Sequence, residues 1–472
     1  MSIRADLARI VGADAVRDSE AARQVYDGDA YPIERSQPLC IAFPKDTGQV
    51  AQLVRYCVAH EVPFTPRGAG TGLSGGAMPA LGGVVISTKR MTAILEIDVS
   101  NRRLRAQSGI ANKRISDAVA NDGLHFAPDP SSQTVSTLGG NIAENAGGPH
   151  TLKYGVTVRH VLAATLVLPD GEVVELGRGV PGGPGLDLLG VVVGSEGTTG
   201  IVTEATVRLT PMPAAVRTTL AAFPNVRAAT ECVAGIISAG VIPAAIELMD
   251  RGILGALRAA FGLTYPEGAA ALLLIECDGS PDSVDREQEV VESECRSRDA
   301  LEVRVAQSEA ERQSLWVARK KGIGAMGRLA PTIVTHDGVI PRSQLPQMLE
   351  DVAEIAAAHG LSVANLFHAG DGNLHPCIYF DEREPGIVER VISAGEQILR
   401  KCVELGGSVS GEHGIGVEKM DLLTLMFSPD DLDVQARTKA IFNPGSLGNP
   451  CKILPNQKGC HEHRMRWRGA AT

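Results

Sequence analysis

Long apolar runs are missing from this chain: none approaches the ~20 residues that a membrane-spanning helix needs, so contact with a membrane would be peripheral or through a partner. Close cysteine pairs are missing too. The nine cysteines stand singly between Cys40 and Cys460, which excludes the paired spacing of a zinc ribbon or an iron–sulfur ferredoxin. Such dispersed thiols read as reduced, buried side chains of a cytosolic protein. The formal net charge is −10 with no long basic block before the C-terminal tail; nucleic-acid binding, which wants a basic face, is disfavoured. Met1–Ile10 carries charges and lacks the apolar stretch of a signal peptide.

The length of 472 residues, 44% hydrophobic, is enough for two or three domains with real cores. Aromatics are scarce at 4%, whereas glycine is abundant at 52 residues. Tight turns use glycine in this way, and so does backbone pressed against a large polar ligand. Composition alone does not choose between the two.

Periodicity predicts an α+β chain. Residues 1–35 read as a helical lead-in. Within 36–213, Ile41–Phe43, Val62–Thr65 and Val84–Ser87 read as short strands, and Thr47 is placed as the cap of a helix running to His60. Ala163–Leu168 and the alternating Ile201–Leu209 are further strands, and Pro211-Met212-Pro213 marks a boundary. Residues 214–430 form a second domain. There Val226–Gly240, Leu345–His359 and Val388–Leu405 read as helices, and Ala271–Cys277, Ser362–His368 and His375–Phe380 as strands. Residues 431–458 are a C-terminal segment, and 459–472 a mobile polar tail. Cys460, His461 and His463 in that tail resemble metal ligands by composition only.

Three glycine-rich segments fall in the first domain. Gly70-Thr71-Gly72-Leu73-Ser74-Gly75 fits the dinucleotide fingerprint by letters. That fingerprint needs a long helix opening at the loop, and Gly76-Ala77-Met78-Pro79 cannot start one cleanly. A loop that wraps a pyrophosphate with its own amides is the alternative. Leu138–Gly148 and Val193–Val202 are the second and third segments. Three such loops suggest a long polar cofactor threaded between small subdomains.

In the second domain, His368-Ala369-Gly370-Asp371-Gly372-Asn373-Leu374-His375 places two histidines across a tight turn, where a hairpin brings them side by side. Ser410-Gly411-Glu412-His413-Gly414 adds a carboxylate and an imidazole in a loop. His368, His375 and Glu412 would make a two-histidine, one-carboxylate metal site with open positions. Ordinary hydrogen bonding in glycine-rich turns is the competing reading.

Residues 36–213 resemble the FAD-binding domain of the vanillyl-alcohol oxidase superfamily through Pro66-Arg67-Gly68-Ala69-Gly70-Thr71-Gly72, Gly139-Gly140-Asn141 and Gly197-Thr198-Thr199-Gly200-Ile201-Val202. Residues 214–455 resemble the cap and C-terminal region of the glycolate oxidase and D-lactate dehydrogenase family. The resemblance implies a two-subdomain FAD-binding domain, an α+β cap with an antiparallel sheet, and a C-terminal segment that returns to the first domain. It implies FAD contacts from the residues just named and from Ser132, Thr137, Gly147, Gly148 and Glu196. The first loop has neither His nor Cys, so FAD would be held non-covalently. A divalent metal, Zn or Mn, would sit on His368, His375 and Glu412. Arg319 would clamp the substrate carboxylate, and His413 would act as general base. His336 and Asn373 either line the substrate pocket or shape turns, while Lys320 and Lys321 belong to a solvated helix face.

The implied reaction is oxidation of a small 2-hydroxy acid, glycolate or D-lactate, to the 2-oxo acid. Hydride would go to flavin N5, with the metal assisting deprotonation of the hydroxyl. D-2-hydroxyglutarate is a third substrate candidate. A non-catalytic FAD-binding subunit and a zinc hydrolase are the competing classes. The electron acceptor would be a partner protein or a quinone. Either an iron–sulfur subunit and a second FAD-domain subunit, or a homodimer, would complete the assembly. The expected location is cytoplasmic, or peripheral to the inner face of the membrane through a partner.

Overall fold

The computed structural model describes residues 2–180, 182 and 184–455; the tail read as mobile and its Cys460, His461 and His463 lie outside the described residues. Among the described residues, three sheets and one two-stranded pair form.

The first sheet runs β1 (Val16–Arg17), β2 (Cys40–Ala42), β4 (Val84–Ser87), β3 (Phe64–Arg67). β2, β4 and β3 are parallel, and β1 is antiparallel to β2. The N-terminal residues therefore supply a strand as well as the helices Ile3–Val11 and Glu20–Val25. Helix Thr47–Ala59 buries Val50, Ala51, Leu53, Val54 and Cys57 against this sheet. Its cap is Asp46, not Thr47: the Asp46 carboxylate accepts from the Gln49 N–H at 2.8 Å. Thr47 instead turns its hydroxyl to Thr203, 3.0 Å away, joining the helix to the next sheet. Both residue types cap well, and the tertiary partner of Thr47 decides which one does.

The second sheet is antiparallel, in the order β5 (Ile94–Asp98), β6 (Arg103–Gln107), β10 (Ile201–Arg208), β8 (Val161–Val167), β9 (Val173–Gly177). β10 buries Ile201, Thr203, Ala205 and Val207 and turns Val202, Glu204 and Thr206 outward, the period-2 pattern of a strand with one wet face. A short pair, β7 (Leu124–His125) with β11 (Thr210–Pro211), closes this body.

The third sheet is antiparallel and carries the second domain. Its path is β15 (Glu302–Val305), β12 (Ala215–Phe223), β14 (Ala271–Gly279), β13 (Ala245–Asp250), β18 (Ser362–His368), β19 (Asn373–Leu374), β17 (Gly338–Val339). β20 (Pro376–Phe380) pairs with β18 and with β16 (Thr332–Thr335). Helices Val226–Ser238, Leu345–Ala358 and Ile387–Glu404 cover one face through Ile246, Leu248, Leu273 and Phe367. Helix Arg251–Phe261 covers the other through Met249, Leu272 and Leu366. Covered on both faces, β14 is a nearly continuous apolar run.

The chain then returns to the first body. The Asn449 side-chain amide donates to the Gly76 and Glu196 carbonyls at 2.9 and 2.6 Å, and the Phe64 N–H donates to the Leu447 carbonyl at 2.9 Å. No helix among the described residues is long and apolar enough to cross a membrane.

Candidate functional site

A cleft of about 1480 Å³, counted to its open mouth, runs between the two bodies. One wall is Pro66–Gly72, which leaves β3 without entering a helix. Gly70 sits at φ +74° there, and a Cβ on Gly68 would meet Thr137 Oγ1; the backbone of the loop, not its side chains, faces the space. The next wall is not a loop. Leu138–Glu144 is a helix, capped where the Gly140 N–H donates to Thr137 Oγ1 at 3.2 Å. Glycines that sequence composition marks as loop are here the small faces of a helix packed close to its neighbours. A Cβ on Gly139 would lie 2.7 Å from Ser108 Cβ. Ser132, Thr137, Gly139, Gly140, Asn141, Gly147, Glu196, Gly197, Gly200, Ile201 and Val202 also line the cleft.

Two of the expected contacts are placed differently. Gly148 does not line the cleft; at φ +149° it packs against the Asp129 carbonyl. Arg67 is among the lining residues, but its guanidinium is engaged by the N-terminal segment, donating to the Gly28 carbonyl and lying 5.0 Å over the Tyr26 ring. A desolvated guanidinium takes the nearest fixed acceptor and an aromatic face, which the N-terminal segment supplies.

At the far end of the cleft, β18 ends in His368, and a turn with Gly372 at φ +79° leads through β19 to His375. The two rings meet edge to face at 5.1 Å. Each ring is anchored through Nδ1, His368 on Glu247 Oε1 at 2.7 Å and His375 on the His336 carbonyl at 3.3 Å. Each therefore turns Nε2 inward, and Glu412 Oε1 lies 3.1 Å from both. Three ligand atoms within 4.8 Å of one another fit a single metal ion. Asp337, with His375 and His413, forms a second such cluster, but its carboxylate is already saturated. It accepts from the N–H groups of Gly411, Glu412 and His413, the Ser410 hydroxyl, the Asn373 amide and Lys419.

Asp337 thus pins the Ser410–His413 loop, and this explains two departures from expectation. Asn373 does not line the cleft; its amide holds Asp337 at 2.7 Å. His336 does not line it either. Its ring points to Glu418 at 3.0 Å, in a small separate cavity, and only its carbonyl serves the site. Burial would raise the Asp337 carboxyl, but His413 and Lys419 beside it hold it well below its ordinary value. Lys419 is itself fully buried, donating to the Gly414 carbonyl at 3.0 Å.

His413 lines the cleft with its ring stacked on His375, and its buried Nδ1 has no hydrogen-bond partner. Burial pushes its pKa down to about 4, against the pull of Asp337, so the imidazole rests neutral, the form from which a base must start. Arg319, on helix Glu309–Lys320, is 3% exposed and paired with Glu247, while its Nε is buried without a partner. Ser136 Oγ and Glu144 Oε2 are further buried polar atoms on the cleft wall without partners. Orphaned polar atoms around a large glycine-walled cleft are what a polar cofactor and an acid substrate would satisfy.

Sequence reasoning missed Glu144 and Glu247. Glu144 shares its surroundings with Glu196, and burial followed by that neighbouring charge raises its carboxyl. Glu196 is raised to about 7 by burial. Its oxygens accept from Ile415 and Gly416 N–H at 2.7 and 2.8 Å, so it ties the first body to the Ser410–Gly416 loop. The signal for Glu247 was a carboxylate inside the otherwise apolar run Ala245–Met249.

Residues 38–177 match the family described as "FAD binding domain", and residues 212–453 match "FAD linked oxidases, C-terminal domain". The chain is 44% identical over 437 residues to glycolate oxidase subunit GlcD of Escherichia coli, covering 93% of this chain and 88% of that protein. It is 33% identical over 432 residues to a D-lactate dehydrogenase of Anaerostipes hadrus, covering 89% and 90%. The solved 4-ethylphenol oxidase of Gulosibacter chungangensis shares the fold with TM-score 0.80 at 18% identity, covering 96% of this chain and 97% of that one.

Proposed function

The chain belongs to the FAD-linked oxidase family, and from that premise we propose that the far end of the cleft is where a small 2-hydroxy acid meets the flavin. The protein is an FAD-linked 2-hydroxy-acid dehydrogenase of the glycolate oxidase and D-lactate dehydrogenase type. The observation that carries the site reading is the convergence of His368, His375 and Glu412 beside Arg319 and His413 on one cleft wall.

The glycine-walled half of the cleft would hold FAD through backbone amides, and the three ligands would hold a divalent Zn or Mn. When bound, FAD supplies the two-electron acceptor and the metal supplies Lewis acidity. The chain's own groups do the rest. Arg319 has a spare N–H to hold the substrate carboxylate beside its link to Glu247. His413, whose ring lines the cleft, takes the hydroxyl proton. Asp337 keeps Glu412 and His413 facing the same point.

The relatives named as a subunit of glycolate oxidase support a multi-subunit assembly, in which an iron–sulfur or second FAD-domain subunit would receive the electrons.

An anaerobic absorbance titration of the purified protein with glycolate, D-lactate and L-lactate tests the reading. Bleaching of the flavin by glycolate or D-lactate, and not by L-lactate, is the expected result. A flavin unchanged by all three would overturn the assignment of these substrates.

A further inference from the structure

Glu247 sits on β13 directly opposite His368 on β18, in register across the central pair of the third sheet. It is fully buried and is the one charged side chain within an otherwise apolar stretch, Ala245–Met249. Its two oxygens are divided: Oε1 accepts from His368 Nδ1 at 2.7 Å, and Oε2 faces the Arg319 guanidinium. A carboxylate present only to neutralise Arg319 would take the guanidinium fork with both oxygens. Here one oxygen is spent on the imidazole, and Arg319 Nε is left unpartnered.

We infer that Glu247 is a positioning residue that fixes His368 as a metal ligand while steering Arg319 toward the same point. An acceptor on Nδ1 requires the proton there, which leaves the lone pair on Nε2, facing Glu412 at 3.1 Å. The carboxylate also raises the basicity of the ring and stops it rotating. Because the contact comes from a sheet register, the ring is held by backbone hydrogen bonds between two strands, not by a mobile loop. This inference rests on the metal reading of the His368, His375 and Glu412 cluster.

The test is Zn2+ affinity, measured by competition with a chromophoric chelator on the FAD-loaded full chain after metal stripping. Glu247→Gln keeps the size but not the charge, and should weaken Zn2+ by about 10–100-fold with FAD content unchanged. Glu247→Asp keeps the charge and retracts it, and should give a smaller loss. His368→Ala should abolish binding. Zn2+ affinity of Glu247→Gln within about twofold of the parent, even with a lowered Tm, would mean a purely structural role and overturn the inference. If Glu247→Gln does not fold, an unchanged affinity in Glu247→Asp overturns it instead. Loss in His368→Ala with no loss at Glu247 removes this inference alone; equal Zn2+ affinity in the parent and His368→Ala removes the metal reading, and the inference with it.

Discussion

The rings of His375 and His413 lie face to face, their centroids 4.8 Å apart and their planes within 1° of parallel. One ring turns its Nε2 to Glu412, and the other keeps a buried nitrogen free. Stacking fixes the distance between a ligand position and a base position with no covalent link between them. His413→Ala should therefore lower substrate-driven flavin reduction by about 10²–10⁴-fold while FAD stays bound. Stopped-flow absorbance reads this, and a normal reduction rate would remove His413 from the proton step.

Arg319→Lys keeps a charge near Glu247 but loses the planar fork. One charge-assisted hydrogen bond to the substrate carboxylate should be lost, raising KM by about 10–100-fold with a smaller change in kcat. Steady-state kinetics with glycolate and D-lactate checks this; an unchanged KM would take Arg319 out of the substrate clamp.

Gly68→Ala places a methyl group on Thr137 Oγ1, where the first loop meets the cap of helix Leu138–Glu144. FAD affinity should fall about tenfold or more, since neither the loop nor the capped helix beside it can retreat without breaking the cap. The flavin-to-protein absorbance ratio after gel filtration reports it, and full occupancy would mean that FAD does not pass this wall.

Asp337→Asn takes one of the two carboxylates from the buried Lys419, leaving it Glu418 and the Gly414 carbonyl, and neutralises the acceptor that gathers three backbone N–H groups. Removing one carboxylate from a buried ion cluster costs up to about 3–5 kcal/mol, the figure for a buried charge left with no partner at all. Thermal unfolding should show a lowered Tm together with loss of metal from the neighbouring ligands. An unaltered Tm would mean that the loop is held by something else.

The two bodies are latched by His150, whose ring nitrogens face Asp129 at 2.8 Å and Glu276 at 3.3 Å. Burial opposes its charge, but Asp129 and Glu276 prevail and raise its pKa from 6.5 to about 10. Folding therefore raises this group's proton affinity. Its stabilisation is complete below pH 6.5 and fades as pH rises toward about 10. The Tm of the parent should fall more across that window than the Tm of His150→Gln. Parallel curves would show that the latch carries no charge.

Local patterns made much of the fold legible. Val84–Ser87 and Ser362–His368 are strands with the bounds their sequence suggests, because β-branched and apolar runs cut off by turn residues leave little choice. The helix Leu345–Ala358 follows equally from its apolar stripe. The glycine-rich helix Leu138–Glu144 was not legible. Glycine disfavours helix locally, and close packing against Ser108 together with the Thr137 cap overrides that preference.

By itself the sequence determined which chemistries were on offer: two histidines across a tight turn, a carboxylate beside an imidazole, and glycines where backbone approaches a ligand. Those are short-range facts, because a turn and a side-chain type are properties of a few consecutive residues. Tertiary structure decided which groups share one point. Glu247 reaches His368 by strand register, Asp337 collects the Ser410–His413 loop, and His336 and Asn373 turn away from the cleft although they neighbour its residues in sequence. Contacts between positions dozens to hundreds of residues apart leave no period in a single sequence, so only the folded chain reveals them.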